Sequence, residues 1–284
     1  VGEEAVVTSK EKPLKIAVTG GAGFFGRATI QAAEAAGHEV WAFDRTQGLD
    51  VLGSLDALGD ADTVIHLAGV LGTSELFDMA ETAIHVNVIG TLRVLEWCRD
   101  HDARYVGISM PDPFPSVYTA TKVAARRLTT AWHHAYGLPV STVRAFNGYG
   151  PYQHYGPGHP QKILPTFARA AWENRPLPIW GDGEQAMDLV HADDVGRMLV
   201  EATAFGDDET FDAGTGTAVT VNELAEFVLR ETGSRAGVEH LPMRAGEVPV
   251  QITAGGEGWD RLDWKPELDW DRIAETVRWY RDAR

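Results

Sequence analysis

The chain has 284 residues, 44% of them hydrophobic and 23% charged, which is enough to bury a substantial core and excludes a disordered polymer. Its formal net charge is −16 at pH 7, and no run of Lys or Arg supplies a local basic patch, so neither nucleic acid nor an anionic membrane is expected as a partner. The single cysteine, Cys98, excludes an intrachain disulfide and a cysteine-built metal site. No apolar run approaches the roughly 18 residues of a membrane span, and the N-terminal residues lack a signal-peptide pattern. A cytoplasmic enzyme is the expectation.

Residues 1–13 show no periodicity and read as a mobile leader. Lys15–Thr19 is a short apolar strand that runs into glycines. Phe24–Ala36 has helical composition and stops at Gly37, a common helix terminator. Glu39–Phe43 and Thr63–Ala68 read as the next strands. Glu75–Arg99 reads as one long helix, with Cys98 as buried filler. Arg104–Ser109 is a strand, Tyr118–Tyr136 a helix and Val140–Phe146 a strand. Apolar strands alternating with helices predict an α/β fold, a Rossmann-type doubly wound parallel sheet covered on both faces. The second half is less regular, with helical patterns at Ala192–Ala204, Val221–Thr232 and Trp270–Arg281. It reads as a smaller C-terminal α/β substrate lobe. The expected division is a dinucleotide-binding domain over 14–146, to which 187–215 returns, and a substrate lobe built from 147–186 and 216–284.

The first strand feeds Gly20-Gly21-Ala22-Gly23-Phe24-Phe25-Gly26, spaced G-x-x-G-x-x-G, and a helix follows. A tight turn, close backbone approach and a helix N-terminus together suit a pyrophosphate. Asp44 ends the second strand, where a carboxylate can accept the hydroxyls of an adenosine ribose. Arg45 would suit a 2′-phosphate; the reading takes NAD over NADP. Asp50 and Val51 are placed around the adenine, and Leu67, Ala68 and Gly69 beneath the cofactor. Tyr118 and Lys122 form Y-x-x-x-K, one helical turn apart on one face. The ammonium of Lys122 is expected to lower the phenol's pKa, so that Tyr118 can take a proton from a sugar hydroxyl.

The motifs TGGAGFFG (Thr19–Gly26), ADTVIHLAG (Ala61–Gly69), VNVIGTLRVLEWC (Val86–Cys98), YTATK (Tyr118–Lys122), RAFNGYGP (Arg144–Pro151), GDGEQAMDLVHADDV (Gly181–Val195) and RAGEVP (Arg244–Pro249) resemble the extended short-chain dehydrogenases/reductases. The likeness is to their nucleotide-sugar epimerase and dehydratase branch, over Lys15 to Arg281. It implies a nucleotide-diphosphate sugar in the second lobe, bound by Asn147 and Arg244, and a homodimer formed through the helices at Glu75–Arg99 and Tyr118–Tyr136. Gln185 and Asp188 read as scaffold, and His191 as fixing a strand end.

The chain departs from that branch in two places. Relatives carry Ser or Thr where this chain has Met110, which cannot donate the same hydrogen bond. Ser109 or Ser116 is the candidate replacement, and the segment from Met110 to Val117 is short and proline-rich. Met187 stands where many relatives have Arg. The resemblance implies an epimerase acting by transient oxidation, with Tyr118, Lys122 and Ser109 catalytic. A ketosugar reductase and a 4,6-dehydratase are the enzyme alternatives, although Pro111 and Asp112 replace the Asp-Glu pair of dehydratases. A non-catalytic dinucleotide sensor is the alternative of another class. His133, His134, His154 and His159 lack ligand spacing and read as non-metal residues.

Overall fold

The computed structural model describes residues 12–112, 115–155, 159–244 and 247–283. The apolar runs form strands β1 (Lys15–Thr19), β2 (Glu39–Phe43), β3 (Thr63–His66), β4 (Arg104–Ser109) and β5 (Val140–Ala145). Helix α1 (Phe24–Ala35) links β1 to β2. The stretch expected as one helix from Glu75 to Arg99 is broken. It contains a 3-10 turn at Glu75–Phe77, α2 (Ala80–Ala83), a π turn at Ile84–Ile89 and α3 (Gly90–Asp100). The π turn coincides with Asn87, whose side chain bonds outside its own helix, and such turns cluster at functional positions. Helix α4 (Val117–Tyr136) starts at Ser116, whose hydroxyl accepts from Thr119 N, and ends at Gly137 in the left-handed conformation.

After β5 come β6 (Asn147–Tyr149), α5 (Ile163–Trp172), β7 (Leu177–Trp180), β8 (Ala186–Met187) and β9 (Leu189–His191). Then follow α6 (Ala192–Glu201), β10 (Asp207–Ala213), β11 (Val219–Thr220), α7 (Val221–Thr232) and β12 (Val238–Leu241), and last β13 (Gln251–Ile252), α8 (Trp259–Leu262) and α9 (Trp270–Asp282). The pattern at Ala192–Ala204 is thus an α-helix ending in a 3-10 turn.

A six-stranded sheet has the order β10-β5-β4-β3-β1-β2, with every neighbouring pair parallel. The chain winds outward from β1 to β2, then crosses to the other side of β1 for β3. The β1–β3 boundary is therefore the topological switch, and ligands bind at such crevices. Helices α1 and α6 cover one face, where Val18, Ile65, Val106, Val143, Leu199 and Phe211 pack together. Gly196 lets α6 lie directly on α1, since a Cβ there would stand 2.6 Å from the Ala28 carbonyl carbon. The opposite face, under α3 and α4, packs Val64, Val94, Leu95, Cys98 and Tyr105. Helices α5, α7 and α9 enclose a second core around Phe167, Leu224, Val277 and Tyr280. No described helix is long and apolar enough to cross a membrane.

Two buried carboxylates tie the C-terminal segment down. Asp188 accepts from Thr215 N, Thr215 Oγ1, Gly216 N and Ala254 N, all within 2.9 Å. Asp212 accepts from the backbone N–H of Gly255, Gly256 and Glu257 and pairs with Arg144. Asp188 is scaffold, as the sequence suggested. His191 ends β9, caps α6 and contacts Arg272.

Candidate active site

The turn between β1 and α1 is shaped by what it cannot hold. Gly20 has φ +72°, and a Cβ there would stand 2.8 Å from Ala68 N. A Cβ on Gly26 would stand 2.2 Å from Gly20 O. Gly23 is different: within 4 Å its Cβ would meet a single atom, Gly20 O, at a tight 3.0 Å. Gly23 is the N-cap of α1, offers no side-chain cap, and no acidic residue lies in the first turn. The first-turn N–H groups and the positive end of the helix dipole are left for an anion. These residues fit a dinucleotide pyrophosphate.

Asp44 holds the rim. Its Oδ2 accepts from Ala22 N at 3.1 Å and its Oδ1 from Thr46 N at 2.9 Å. A carboxylate has about four lone-pair positions, so acceptor capacity remains for a ribose. Arg45 is exposed and leans on Asp50, 3.8 Å away. The ring of Phe25 packs on Gly148, where a Cβ would meet it at 2.4 Å, so Phe24 and Phe25 offer backbone N–H groups rather than rings to a pyrophosphate. Val51 is 4% exposed and presses on Gly90. Leu67, Ala68 and Gly69 leave β3 at the switch point, beside Gly20.

Tyr118 and Lys122 lie one turn apart at the start of α4, each partly buried. Burial pushes the phenol above its usual value and pulls the Lys122 ammonium down to about 8. In the chain alone, desolvation is the cause of both shifts. Among the described residues Lys122 has no ion-pair partner within 4.0 Å. Ser109 ends β4 in register with Arg144, which is in register with Asp212. Alternation along β4 puts Ser109 on the Tyr105 face, the one α4 covers, so its hydroxyl shares a side of the sheet with Tyr118. Ser116 is not free. Its buried Oγ accepts from Thr119 N at 3.1 Å and donates to Thr119 Oγ1 at 3.0 Å. Pro113 and Phe114 of the proline-rich segment lie outside the described residues.

Asn147 is exposed and its backbone N–H donates to Asp188 O. Arg244 lies over the Trp180 ring, 4.8 Å from its centroid, and its guanidinium pairs with Glu247. Met187 is buried in β8, between β11 and β13. Asn147 lies on β6, which pairs with β9, whereas Arg244 already has a carboxylate partner in Glu247. His154 and His159 stack 4.9 Å apart, and among the described residues no group of three or more His, Cys, Asp or Glu side chains comes together.

Sequence reasoning missed two residues. Asn87, 3% exposed, accepts from Val70 N and donates to Val70 O and Thr121 Oγ1, joining the segment after β3 to the catalytic helix. His66, also 3% exposed, lies between Thr19 and Thr91. Each was visible as a lone polar residue inside an apolar run, and a buried polar group needs a partner.

A parallel sheet wound in this order, with an uncapped glycine turn at its switch point and a Tyr/Lys pair on the helix after β4, defines an extended short-chain dehydrogenase/reductase. The chain belongs to the NAD-dependent epimerase/dehydratase family, whose pattern it matches over residues 16–214. It is 30% identical to the UDP-glucuronate 4-epimerase of Thermodesulfobacterium geofontis, over 77% of this chain and 72% of that protein. It is 28% identical to the dTDP-glucose 4,6-dehydratase of Streptomyces niveus, over 95% of this chain and 94% of that one. The dTDP-glucose 4,6-dehydratase of Streptomyces venezuelae, solved with NAD bound, superposes with a TM-score of 0.85 at 26% identity, covering 95% of this chain and 98% of that one.

Proposed function

We propose that the chain is a nucleotide-sugar epimerase that transiently oxidises one ring carbon of its substrate, with NAD as its cofactor. The observation that carries this reading is the end of β4. Ser109 and the Tyr118/Lys122 turn share one side of the sheet, and the segment between them holds a single carboxylate, Asp112, which is exposed. Deprotonated Tyr118 takes the proton of a sugar hydroxyl, and Ser109 donates a hydrogen bond to the same oxygen as it becomes a carbonyl. NAD, held at the Gly20–Gly26 turn and Asp44, would supply a reversible hydride acceptor for the ring carbon. The Lys122 ammonium, which burial alone lowers to about 8, would hold the nicotinamide ribose, and its charge together with that of an oxidised nicotinamide would draw the Tyr118 phenol down toward neutral pH. Removing water from the sugar would need a further acid and base beside Tyr118, and one exposed carboxylate does not make that pair. Asp44 supports NAD over NADP, because its carboxylate would repel a 2′-phosphate.

The test is incubation of the purified chain with UDP-, dTDP- and GDP-hexoses, without added nicotinamide cofactor. Interconversion of epimers with no net change in NADH is expected. Loss of water from the sugar would instead mark a dehydratase, and stoichiometric use of added NADH or NADPH a reductase. The site's class of work fits the cytoplasm.

The same reading makes the chain a homodimer. Phe77, Met79, Ile84 and Val123 are each 38–49% exposed along the α2, π-turn and α4 side. Clustered apolar exposure of this kind marks contact surfaces, and a closed two-fold is the commonest soluble assembly. Light scattering at micromolar concentration should give the dimer mass; monomer mass alone would reject it.

A further inference from the structure

His66 is the last residue of β3, at the centre of the sheet, and the chemistry proposed above does not use it. Both of its ring nitrogens are nevertheless engaged. Thr19 Oγ1 lies 2.7 Å from Nδ1 and Thr91 Oγ1 lies 3.1 Å from Nε2. The neighbours decide the tautomer. The Thr91 hydroxyl donates to Asn87 O at 2.8 Å, so its oxygen is left to accept from Nε2–H. Nδ1 is then an acceptor and takes the Thr19 proton, while Thr19 Oγ1 accepts from Ala68 N at 3.2 Å. The bonds run in one direction: Ala68 N–H to Thr19, Thr19 to His66, and from the other side of the ring to Thr91 and the Asn87 carbonyl. The Asn87 side chain carries the connection onward to Val70 N, Val70 O and Thr121 Oγ1, and the Thr121 hydroxyl donates to Tyr118 O at 2.9 Å.

We infer that His66 is a positioning residue: as the neutral Nε2–H tautomer it ties the Ala68–Val70 segment to the helical turn that carries Tyr118 and Lys122. The segment it holds is the one the cofactor reading places beneath the dinucleotide, and the inference rests on that reading only for the ligand's identity. A cationic imidazole would have to donate from both nitrogens, taking away the acceptor for the Thr19 proton, and would place a second positive charge near Lys122. The titratable groups that face the ring are Lys122 from α4 and Tyr105 from β4, whose ring centroid is 5.9 Å away. From β1 and α3 the ring meets only the hydroxyls of Thr19 and Thr91. No carboxylate is among the groups that act on it, so nothing there favours the charged form.

The experiment has two readouts on the full chain. Imidazole nitrogen shifts, recorded by NMR, should report Nε2–H with no titration between about pH 5 and 8, the interval in which an ordinary histidine changes charge. His66→Phe keeps the bulk and removes both bonds, and it should weaken NAD binding and turnover by about 10²-fold, the scale of a misplaced reacting group. His66→Asn keeps an acceptor toward Thr19, and His66→Gln keeps a donor toward Thr91; each should restore part of the loss. A filler role would make Phe the best replacement and the amides the worst. An Nδ1–H tautomer, a titration inside that interval, or wild-type NAD affinity in His66→Phe would overturn the inference. Should His66→Phe fail to fold, the tautomer and the titration still decide. A wild-type chain that takes no NAD would instead overturn the cofactor assignment, and the nitrogen shifts would read His66 separately.

Discussion

Tyr118→Phe should lower turnover by about 10²–10⁴-fold, the usual contribution of a positioned acid–base group, with NAD binding and melting temperature close to wild type. The phenol makes no hydrogen bond to a described residue, so removing its oxygen leaves no buried group stranded. Ser109→Ala is the companion variant. If Ser109 replaces the hydroxyl absent at Met110, its loss should cost about 10²–10³-fold, as for other donors to a developing oxyanion. Ser116→Ala should instead lower stability by about 1 kcal/mol, the cost of a lost helix cap, with a small effect on turnover. Steady-state kinetics and thermal melts on the three variants separate these roles. Unchanged turnover in Tyr118→Phe would sink the mechanism.

The second large effect lies at the glycine turn, where two glycines should fail in different ways. In Gly26→Ala the new methyl would sit 2.2 Å from Gly20 O and 2.7 Å from Gly21 Cα, both backbone. Neither can swing aside, so the β1–α1 crossing must shift, and the loss should reach about 3 kcal/mol, the upper end of overpacking costs. In Gly23→Val the new Cβ meets one backbone atom, Gly20 O at 3.0 Å, at the N-terminus of α1. The protein should fold with a smaller loss of stability than Gly26→Ala and lose NAD binding. Fluorescence titration with NAD beside a thermal melt reads both. A Gly23→Val chain that binds NAD like wild type would show that the pyrophosphate is not held there.

Much of this was legible in the sequence, because its signals were local. The runs at Glu39–Phe43, Arg104–Ser109 and Val221–Thr232 are elements with those very limits. In the structure Thr220 and Glu223 form a reciprocal cap on Val221–Thr232, and Gly233 follows its end. The glycine turn and the Tyr118/Lys122 spacing are equally short-range. What stayed hidden depends on contacts distant along the chain. The π turn at Ile84–Ile89 follows from Asn87 bonding to Val70 and Thr121, which helical periodicity cannot register. Strand β10, at the edge of the sheet, carries DDETFDA, too acidic to read as an apolar strand. Its charges are met by Arg126, Arg144 and the backbone of 255–257, all far away in sequence. Ser116 looked like a spare hydroxyl because capping is invisible until the helix start is known.

The strand order has a consequence for how the protein is made. β5 ends at Ala145 and its outer neighbour β10 begins at Asp207, with residues 146–206 between them. A chain emerging from the ribosome presents β5 as an open edge, with unpaired backbone groups, until β10 has followed. Over the same interval α1 lacks α6, so the apolar face around Ile65, Val106 and Val143 stands partly bare. Such an edge is a template for pairing with another chain, and the hazard lasts as long as synthesis of those residues takes. The glycine turn and the catalytic helix are both complete by then. The nucleotide half could therefore take up its cofactor while still tethered, and early binding would steady the sheet through its most exposed moment.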